Sequence, residues 1–363
     1  MNARFWAGKR VLVTGHTGFK GAWLAFWLHR MGSEVAGFAL GLPTHPSLCE
    51  LLGVEDLVTS VRGDLRDSQA VRRVIADHAP EIVIHMAAQP IVRRALRDPV
   101  EAYAVNVLGT VHVLEAVRRS GQVRVAINVT TDKVYENHEW EWGYRETDRL
   151  GGSDPYSTSK ACSELVTQAY ARSLLPVEGG GPGTAVAAAR AGNVIGGGDW
   201  AEDRLVPDLM RAGLDGSVVR IRNPRAIRPW QHVLNPLEGY LTLAERLWEG
   251  ERSPAFNFGP ADDEVRPVDE IADRVSELWG EGLSWELEGA PQPREAHHLR
   301  LDSSRAHAEL GWRPRLDLDE GLRWVVRWFQ AYRDGEDLTE ITARQIGEYA
   351  ARAEAAVAQA ETG

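Results

Sequence analysis

The sequence of 363 residues contains little cysteine and no clustered positive charge. Its two cysteines, Cys49 and Cys162, form no CxxC pair and no Cys/His cluster, which argues against a disulfide framework or a zinc site and favours a reducing compartment. With 41 lysines and arginines against 52 aspartates and glutamates, the formal net charge is -11. Because binding to a phosphate backbone needs a basic field, this balance argues against a nucleic-acid-binding protein.

Long hydrophobic runs are also missing. Residues 1–9 lack an apolar segment followed by a small-residue cleavage site, and no apolar run approaches the ~20 residues of a membrane span. Apolar residues (44%) and charged residues (26%) occur in the proportions of a soluble globular chain, and the length suits two hydrophobic cores. We therefore expect a cytoplasmic enzyme or binding protein with no membrane partner.

Short apolar strands alternate with helices through the first half of the chain. Predicted strands are 10–14, 34–40, 82–85, 123–129 and 185–191, and predicted helices are 22–31, 69–78, 100–120, 156–173 and, near the end, 340–361. This alternation is typical of an α/β fold with a Rossmann-type doubly wound parallel sheet. Residues 178–183 read as a surface loop.

After about Gly192 the composition changes, because Gly, Pro, Trp and Arg become frequent. We expect a smaller C-terminal substrate-binding domain there. Residues 1–190, with a segment near 233–258 that returns to them, are predicted as a dinucleotide-binding domain. Residues 191–232 and 259–363 are predicted as the substrate domain.

A glycine turn follows the first predicted strand. Residues 14–21 read TGHTGFKG, with Gly15, Gly18 and Gly21 three residues apart, directly before a helix. A dinucleotide pyrophosphate must approach the backbone where a Cβ would collide, and a helix N-terminus offers free N–H groups and a positive dipole end. The spacing is the short-chain variant of the dinucleotide pattern, with one extra residue. It predicts a cofactor turn, with a plain flexible turn as the alternative.

The second predicted strand does not distinguish NAD from NADP. Residues 38–40 (FAL) offer neither an acidic residue for the ribose hydroxyls nor an arginine for a 2′-phosphate. Asp64 is a candidate for the adenine end of the cofactor. Capping of the helix that follows is a competing interpretation for this residue.

Two segments carry side chains suited to acid–base chemistry. Tyr156 and Lys160 form a YxxxK pair on one helix face, where a lysine ammonium favours the phenolate and lowers the pKa of the phenol toward neutrality. Thr131, Asp132 and Lys133 end a predicted strand, at the edge where open α/β sheets bind ligands. Thr131 can hydrogen-bond a substrate hydroxyl, Asp132 can act as an acid, and Lys133 can act as a base if its pKa is depressed. A polar turn and a surface Tyr/Lys pair are the alternatives.

Arginines in the second half of the chain suit a diphosphate, because guanidinium forks match phosphate oxygens. The group lies near Gly- and Pro-rich loops and comprises Arg190, Arg204, Arg222 and Arg228, with Asn193 among them. Taken singly, each is also a candidate for a surface or structural role.

Eight longer segments resemble the extended short-chain dehydrogenase/reductase family and, within it, the nucleotide-sugar 4,6-dehydratases that act on CDP-sugars. They are VTGHTGFKG (13–21), HMAAQPIVR (85–93), NVLGT (106–110), NVTTDKVYENHEWEWGYRE (128–146), DPYSTSK (154–160), RAGNVIGGGDWAEDRLVPD (190–208), IRNPRAIRPWQHV (221–233) and FNFGP (256–260). The glycine turn and YxxxK identify only the superfamily. GNVIGGGDW, RNPRAIRPWQHV and Asp132-Lys133 are more specific, because the dTDP-glucose dehydratases usually carry Asp-Glu at that pair.

The resemblance implies a role for each matched residue. Tyr156, Lys160 and Thr131 would form the catalytic triad, with Thr131 where members of this branch commonly have serine, and Asp132 and Lys133 would serve elimination. The cofactor NAD would contact Gly15, Thr17, Gly18, Phe19, Gly21, Asp64, Leu65, Ala87, Ala88, Gln89, Asn106, Tyr156 and Lys160. The nucleotide-diphosphate sugar would contact Gln89, Asn193, Arg204, Arg222, Arg228 and His232. No metal is expected.

The same resemblance implies a homodimer or homotetramer, in which helices 100–120 and 156–173 would pack against a partner's equivalents as a four-helix bundle. Burial of both helices within one chain is the alternative. By the same resemblance, the product of such a dehydratase would feed 3,6-dideoxyhexose synthesis for bacterial surface polysaccharide.

Other functions stay open at this point. A nucleotide-sugar 4-epimerase or 4-reductase, or a dehydratase for another nucleotide sugar, would share the glycine turn and the Tyr/Lys pair. A non-catalytic NAD-binding regulator would need neither Tyr156 nor Lys160.

Overall fold

Seven parallel strands form the central sheet of the computed structural model, which describes residues 1–175, 183–289 and 298–362, with side chains up to Ala353. The strands of the described residues are β1 (Arg10–Thr14), β2 (Glu34–Ala39), β3 (Thr59–Arg62), β4 (Ile82–His85), β5 (Val125–Val129), β6 (Ala185–Ala191), β7 (Val194–Ile195), β8 (Val218–Ile221), β9 (Ile227–Arg228), β10 (Gln231–His232), β11 (Ala255–Phe258), β12 (Arg266–Pro267) and β13 (Ser284–Leu287). The order across the sheet is β11-β6-β5-β4-β1-β2-β3.

Helices cover both faces of this sheet. They are α1 (Ala3–Trp6), α2 (Phe19–Arg30), α3 (Leu48–Leu51), α4 (Val54–Leu57), α5 (Ser68–His78), α6 (Val92–Arg97), α7 (Pro99–Tyr103), α8 (Gly109–Ser120), α9 (Pro155–Ala169), α10 (Leu205–Asp215), α11 (Leu234–Glu249), α12 (Val268–Trp279), α13 (Leu318–Arg333) and α14 (Leu338–Thr362). Short π-helical turns span Ala104–Leu108, Tyr170–Leu174 and Ala306–Leu310, and 3-10 turns span Asp132–Val134 and Asp262–Glu264.

The period of two along each strand sends successive side chains to opposite faces of the sheet. In β1, Val11 and Val13 join the core beneath α2 and α11, whereas Leu12 joins a second core beneath α5 and α8. Both faces are therefore apolar and covered, as parallel sheets require. The predicted doubly wound α/β class is confirmed.

The strand order reverses between β1 and β4, where the chain leaves β1 toward β2 on one side and later returns to β4 on the other. Ligands in such sheets bind in the crevice beyond the carboxyl ends of the strands at this reversal. The segments that follow β1, β4, β5 and β6 all open onto that crevice. They contain most of the residues singled out from the sequence.

Several predicted elements differ at their ends from the observed ones. Helix α2 begins at Phe19, three residues earlier than predicted, because Gly18 occupies its N-cap position. The predicted helix 100–120 is interrupted by the π-helical turn Ala104–Leu108. The predicted helix 156–173 is observed as α9, which ends at Ala169, followed by the π-helical turn Tyr170–Leu174. The predicted helix 340–361 lies inside α14. Of the predicted loop 178–183, residues 178–182 lie outside the described residues.

Beyond β6 the chain both leaves the sheet and returns to it. Helix α11 packs against β5 and β6, and β11 pairs with β6 at the sheet edge. Elsewhere α10, α12, α13 and α14 pack on one another, and β8 pairs with β13. The division into two domains stays a prediction.

One helical stretch among the described residues, Pro99–Ser120, is long and apolar enough to span a membrane by length and composition. The stretch is not a continuous apolar run, because it contains Glu101, Glu115, Arg118 and Arg119. In the fold, the stretch packs against α5 and α9 and contributes Val113, Leu114 and Val117 to the second core. The core helix of a globular domain satisfies the same criteria of length and composition.

Candidate active site

The glycine turn forms a cradle at the end of β1. Gly15 has a positive φ of 78°, and a Cβ placed there would lie 2.8 Å from the Ala87 backbone after β4. A Cβ on Gly21 would lie 2.0 Å from the Gly15 carbonyl oxygen. Gly18 is the N-cap of α2 and, within the described part of the chain, no side chain caps that helix. Its first N–H groups are therefore available to an anion.

Replacing Gly21 with alanine should damage this cradle. The added Cβ meets backbone atoms, so the turn must move, and we expect a loss of about 1–3 kcal/mol in the free energy of unfolding. We also expect NAD affinity to fall by about tenfold or more, as titration calorimetry would measure. Gly347→Ala is the matched control, because Gly347 lies exposed in α14 with no atom within 4 Å of an added Cβ. Unchanged NAD affinity in the Gly21 variant would contradict this assignment.

A buried polar network joins the glycine turn to the segment after β4. The Thr14 hydroxyl lies 2.7 Å from His85 Nδ1 and accepts hydrogen bonds from the backbone N–H groups of Met86 and Ala87, at 3.1 Å each. Burial lowers the pKa of His85 to about 3, so its ring is neutral at physiological pH. The network holds residues 87–89 beside the cradle.

Asn106 lies in the π-helical turn between α7 and α8, where the widened turn directs its carboxamide across to the β4 segment. Its Oδ1 accepts from the Gln89 N–H at 2.8 Å, and its Nδ2 donates to the Gln89 carbonyl at 3.1 Å and to Ser159 Oγ at 2.8 Å. The buried Gln89 Oε1 has no hydrogen-bond partner among the described residues. Gln89 is therefore positioned with one polar atom still free for a ligand.

Three more residues that are predicted to contact the cofactor lie near the carboxyl ends of β2 and β3, namely Thr17, Asp64 and Leu65. The Thr17 hydroxyl donates to the Gly41 carbonyl at 2.6 Å, which ties the glycine turn to the end of β2. Leu65 is buried beneath Gly109 of α8. The Asp64 carboxylate accepts several hydrogen bonds of 2.5–3.0 Å from the Arg66 guanidinium. Helix α5 is capped by Asp67 and not by Asp64, so the competing interpretation of Asp64 as a cap is wrong.

Thr131 and Asp132 lie directly beyond β5. The Thr131 hydroxyl donates to Asp132 Oδ1 at 2.9 Å, while the buried Asp132 Oδ2 has no hydrogen-bond partner in the described ranges. Burial raises the pKa of Asp132, and the nearby Lys133, the Thr131 hydrogen bond and Arg228 oppose that rise. A carboxyl group that is held neutral by burial can donate a proton. Lys133 follows in the 3-10 turn and is only partly buried.

Tyr156 and Lys160 extend from α9 toward the same point. Burial raises the pKa of Tyr156 to about 12, and the hydrogen bond with Thr131 and the charge of Arg204 oppose this rise. Burial also lowers the pKa of Lys160 to about 8, and its ammonium donates to the Val129 carbonyl at 2.8 Å. The expected lowering of the pKa of Tyr156 by Lys160 is therefore wrong for the ligand-free site, because desolvation of the phenolate is the larger effect.

The predicted phosphate-binding residues surround the outer part of the site. Arg204 is the N-cap of α10 and donates to Asp199 Oδ2 at 3.2 Å. Arg222 lies 3.5 Å from Asp203, which also accepts from Arg93 at 2.8 Å. Arg228 is nearly buried and lies close enough to Asp132 to affect its charge. The backbone carbonyl of Asn193 accepts from the Gln231 N–H at 3.0 Å, which joins β7 to β10.

His232 is placed differently from the other predicted substrate residues. It is 1% exposed and packs edge-on against Trp23 and Trp324, with ring centroids 6.1 and 5.6 Å away. Burial lowers the pKa of His232 to about 3. Its buried Nε2 has no hydrogen-bond partner among the described residues, and its contact with the substrate stays a prediction.

Arg190 is the second residue whose placement differs from the expectation. It is 1% exposed and forms a buried ion pair with Glu164, whose two oxygens lie 2.8 and 2.9 Å from Arg190 Nε. Thr130 donates to the same carboxylate at 2.5 Å, and Arg190 also donates to the Tyr135 hydroxyl at 2.5 Å. Arg190 therefore does not belong with the diphosphate-binding arginines. Its partner Glu164 lies in α9 one helical turn after Lys160. The ion pair therefore fixes this part of α9 against β5 and β6.

Four residues that were not predicted from the sequence also lie in or beside the site. They are Lys20, Asp199, Tyr240 and Glu164. Lys20 interrupts the glycine turn itself, so a charged residue inside that motif was the available signal. Glu164 repeats the helical spacing of Tyr156 and Lys160. Tyr240 had no local signal, because only the packing of α11 brings it to this point.

The family model described as the NAD dependent epimerase/dehydratase family matches residues 11–259. The chain belongs to this family. The matched region therefore runs from the second residue of β1 to the residue after β11 and includes all seven strands of the central sheet.

Two curated relatives align with this chain over most of their length. The CDP-glucose 4,6-dehydratase of Salmonella typhimurium is 51% identical over 352 residues, covering 96% of this chain and 98% of the relative. The dTDP-glucose 4,6-dehydratase of Mycobacterium tuberculosis is 30% identical over 336 residues, covering 90% and 94%.

Two solved structures share the fold of this family member. The UDP-glucose 4-epimerase of Thermus thermophilus, in complex with NAD, has a TM-score of 0.76 at 28% identity and covers 88% of this chain and 99% of its own. The dTDP-glucose 4,6-dehydratase of Streptomyces venezuelae, with NAD bound, has a TM-score of 0.76 at 24% identity and covers 90% and 99%.

The residues of this site fit the cofactor of the family. The cradle at Gly15 and Gly21 leaves no room for a Cβ, the N-terminus of α2 carries no side-chain cap among the described residues, and Gln89 keeps a free oxygen. The open cradle and the uncapped helix N-terminus suit the diphosphate of a dinucleotide, and the Gln89 oxygen can accept a hydrogen bond from a hydroxyl or amide group of the same cofactor.

Proposed function

We propose that this chain is a CDP-glucose 4,6-dehydratase, which converts CDP-D-glucose to CDP-4-keto-6-deoxy-D-glucose and water with bound NAD. The observation that carries the proposal is the placement of the buried acid Asp132 beside Tyr156 and Thr131, beyond the carboxyl ends of the strands. Its Oδ2 has no hydrogen-bond partner among the described residues. The near-full-length likeness to the curated Salmonella dehydratase supports the choice of nucleotide.

Tyr156 acts in the first step as the base that accepts the proton of the sugar C4 hydroxyl. When bound, NAD supplies the acceptor for the C4 hydride and later returns that hydride to C6. Thr131 positions the hydroxyl, and its hydrogen bond with Tyr156 and the charge of Arg204 favour the phenolate that Tyr156 must become. Because burial opposes this phenolate, a positive charge brought in with the ligands would favour it.

Asp132 acts in the second step. The 4-keto group makes the C5 proton acidic, and Asp132 protonates the C6 hydroxyl as it leaves as water. Its burial beside Gly192 raises the pKa of the carboxyl group, which favours the acid form that this step needs. Lys133 lies next to it and is the candidate to accept the C5 proton, at the position where a carboxylate is usual in the dTDP branch.

The label test distinguishes this function from its rivals. The purified protein is incubated with CDP-, dTDP- and UDP-glucose carrying deuterium at C4, and the products are followed by mass spectrometry. We expect the deuterium at C6 of a 4-keto-6-deoxy product, formed fastest from the CDP sugar. Deuterium retained at C4 with an inverted hydroxyl would indicate a 4-epimerase, and faster dehydration of another nucleotide sugar would overturn the CDP assignment.

We further propose that the protein forms a homodimer or homotetramer through α7, α9 and the π-helical turns that follow them. Apolar side chains on these neighbouring segments are exposed, including Val100 (76%), Leu108 (48%) and Leu165 (55%). Burying these side chains against a second copy would remove their apolar surface from water. A cytoplasmic location stays a prediction.

Charged substitutions on this surface should dissociate the oligomer. For the pair Val100→Glu and Leu165→Glu we expect a monomer in sedimentation velocity, whereas the wild-type chain sediments as a dimer or larger. Leu287→Glu is the control, because Leu287 is comparably exposed (62%) but lies on β13. A wild-type monomer would contradict the proposed oligomer.

A further inference from the structure

Two arginines from distant parts of the chain meet on one carboxylate oxygen at the rim of the site. Arg93 lies in α6, in the segment that follows β4, and its Nη1 donates to Asp203 Oδ1 at 2.8 Å. Arg222 follows β8, and its Nη2 donates to the same oxygen at 3.5 Å. Guanidinium groups bind phosphate oxygens as well as carboxylates, so the space between these arginines suits either anion.

The Asp203 carboxylate is held by these arginines and, within the described part of the chain, by no other hydrogen bond or ion pair. The partner of Arg204 differs in this respect. Asp199 is 4% exposed, and it also accepts a hydrogen bond from the Ala201 N–H. Asp199 therefore belongs to the fixed framework of the site, whereas the side chain of Asp203 can leave its arginines without breaking a hydrogen bond to the backbone.

The surroundings of Asp203 give its present position little stability. Its φ of 62° lies in the left-handed region, which residues other than glycine adopt uncommonly. The side chains of Asp203, Arg93 and Arg222 are all partly exposed, and ion pairs that water can reach contribute little to stability. A more highly charged anion that is also held by other parts of the site can therefore replace the carboxylate.

The position of Asp203 indicates which anion that is. The next residue in the chain, Arg204, is the N-cap of α10 and is close enough to Tyr156 to affect the charge of its phenol. The rim formed by Arg93 and Arg222 is thus next to the reacting side chains. Arg222 was predicted from the sequence to contact the diphosphate, whereas Arg93 was not.

We propose that Asp203 occupies the place of a ligand phosphate in the free protein, and that Arg93 and Arg222 exchange its carboxylate for the diphosphate of the nucleotide sugar. Asp203 therefore competes with the substrate and lowers its affinity, and Arg93 is a further substrate-binding residue. This inference rests on the proposed function, because it takes CDP-glucose as the ligand. The exchange breaks and forms ion pairs only.

Calorimetric titration of CDP into the NAD-loaded full chain tests this exchange, because CDP carries the diphosphate but no sugar that the enzyme can turn over. For Asp203→Asn we expect the affinity for CDP to rise by about three- to fivefold, since the amide keeps the shape but does not compete as an anion. For Arg93→Gln we expect the affinity to fall by about three- to tenfold. The affinity for cytidine, which has no phosphate, should be unchanged in both variants.

Glu202→Gln is the matched control. Glu202 is exposed in the same turn, and in the described ranges it forms no ion pair with either arginine, so this variant removes the same charge without freeing Arg93 or Arg222. An equal gain of CDP affinity in Glu202→Gln would mean a general effect of charge and would overturn the exchange. In the Arg93→Gln background, the gain from Asp203→Asn should shrink, because the two residues act on each other directly.

CDP affinity that is unchanged or weaker in Asp203→Asn would overturn the inference and leave the proposed function intact. UDP and dTDP are titrated in parallel. Tighter binding of either one than of CDP would overturn the nucleotide of the proposed function, and the response of that ligand to Asp203→Asn would then decide the inference. Failure of the wild-type protein to bind any of the three would overturn both.

Discussion

Tyr156→Phe lowers kcat by about 10²- to 10⁴-fold, because it removes the one hydroxyl placed to accept the C4 proton beside Thr131. Phenylalanine keeps the shape and burial of the ring, so the fold and the binding of NAD should be retained. Steady-state turnover of CDP-glucose measures the loss, and calorimetry measures NAD binding in the same preparation.

Replacing Tyr156 with phenylalanine should also change the pH dependence of the reaction. Burial raises the pKa of Tyr156, so in the wild-type protein the fraction of phenolate rises with pH across the neutral range, and kcat/KM should rise with it. The Phe variant should lose this rise. Tyr332→Phe serves as the control, since Tyr332 packs against Trp200 and Trp328 and loses the same hydroxyl. A Tyr156 variant with wild-type turnover would exclude it as the base.

Asp132→Asn separates oxidation from elimination. The amide keeps the hydrogen bond with Thr131 but has no proton to donate to the leaving C6 hydroxyl. In single-turnover experiments with CDP-glucose, we expect rapid reduction of bound NAD, seen as absorbance of the reduced cofactor. Formation of the 4-keto-6-deoxy product should be slower by about 10²- to 10⁴-fold.

The wild-type elimination step carries a matching pH signature. Burial raises the pKa of Asp132, so its acid form persists to higher pH than that of an exposed aspartate and is lost as the pH rises through that value. Elimination should therefore fail on the alkaline side in the wild type. Asp148→Asn, on the exposed turn after Arg145, is a suitable control. Equal slowing of both half-reactions in Asp132→Asn would remove Asp132 from the elimination step.

The cofactor side of the site could be predicted to a large extent from the sequence. The spacing of Gly15, Gly18 and Gly21 reflects contacts within eight residues of chain, where a Cβ would meet the turn's own backbone. Tyr156 and Lys160 share a helix face because four residues make about one turn. Such short-range requirements leave their pattern in consecutive residues, so a reader of the sequence can find them.

The substrate side was predicted less well, because its residues come from segments far apart in the chain. Arg190 resembles the other arginines in local sequence, yet its partner Glu164 lies 26 residues earlier and makes it a structural residue. His232 follows a motif that suggests ligand contact, yet α13 covers it with Trp324. Neither partner could be inferred from neighbouring residues.

The sequence by itself determined the alternation of strands and helices, the cofactor turn and the identity of the acid–base side chains, since each depends on residues adjacent along the chain. Only the tertiary structure decided the charge states of those side chains. Enclosure by distant elements raises the pKa of Tyr156 and of Asp132 and lowers the pKa of Lys160. The free energy of a buried charge depends on everything that replaces water around it, and that is set by the folded packing.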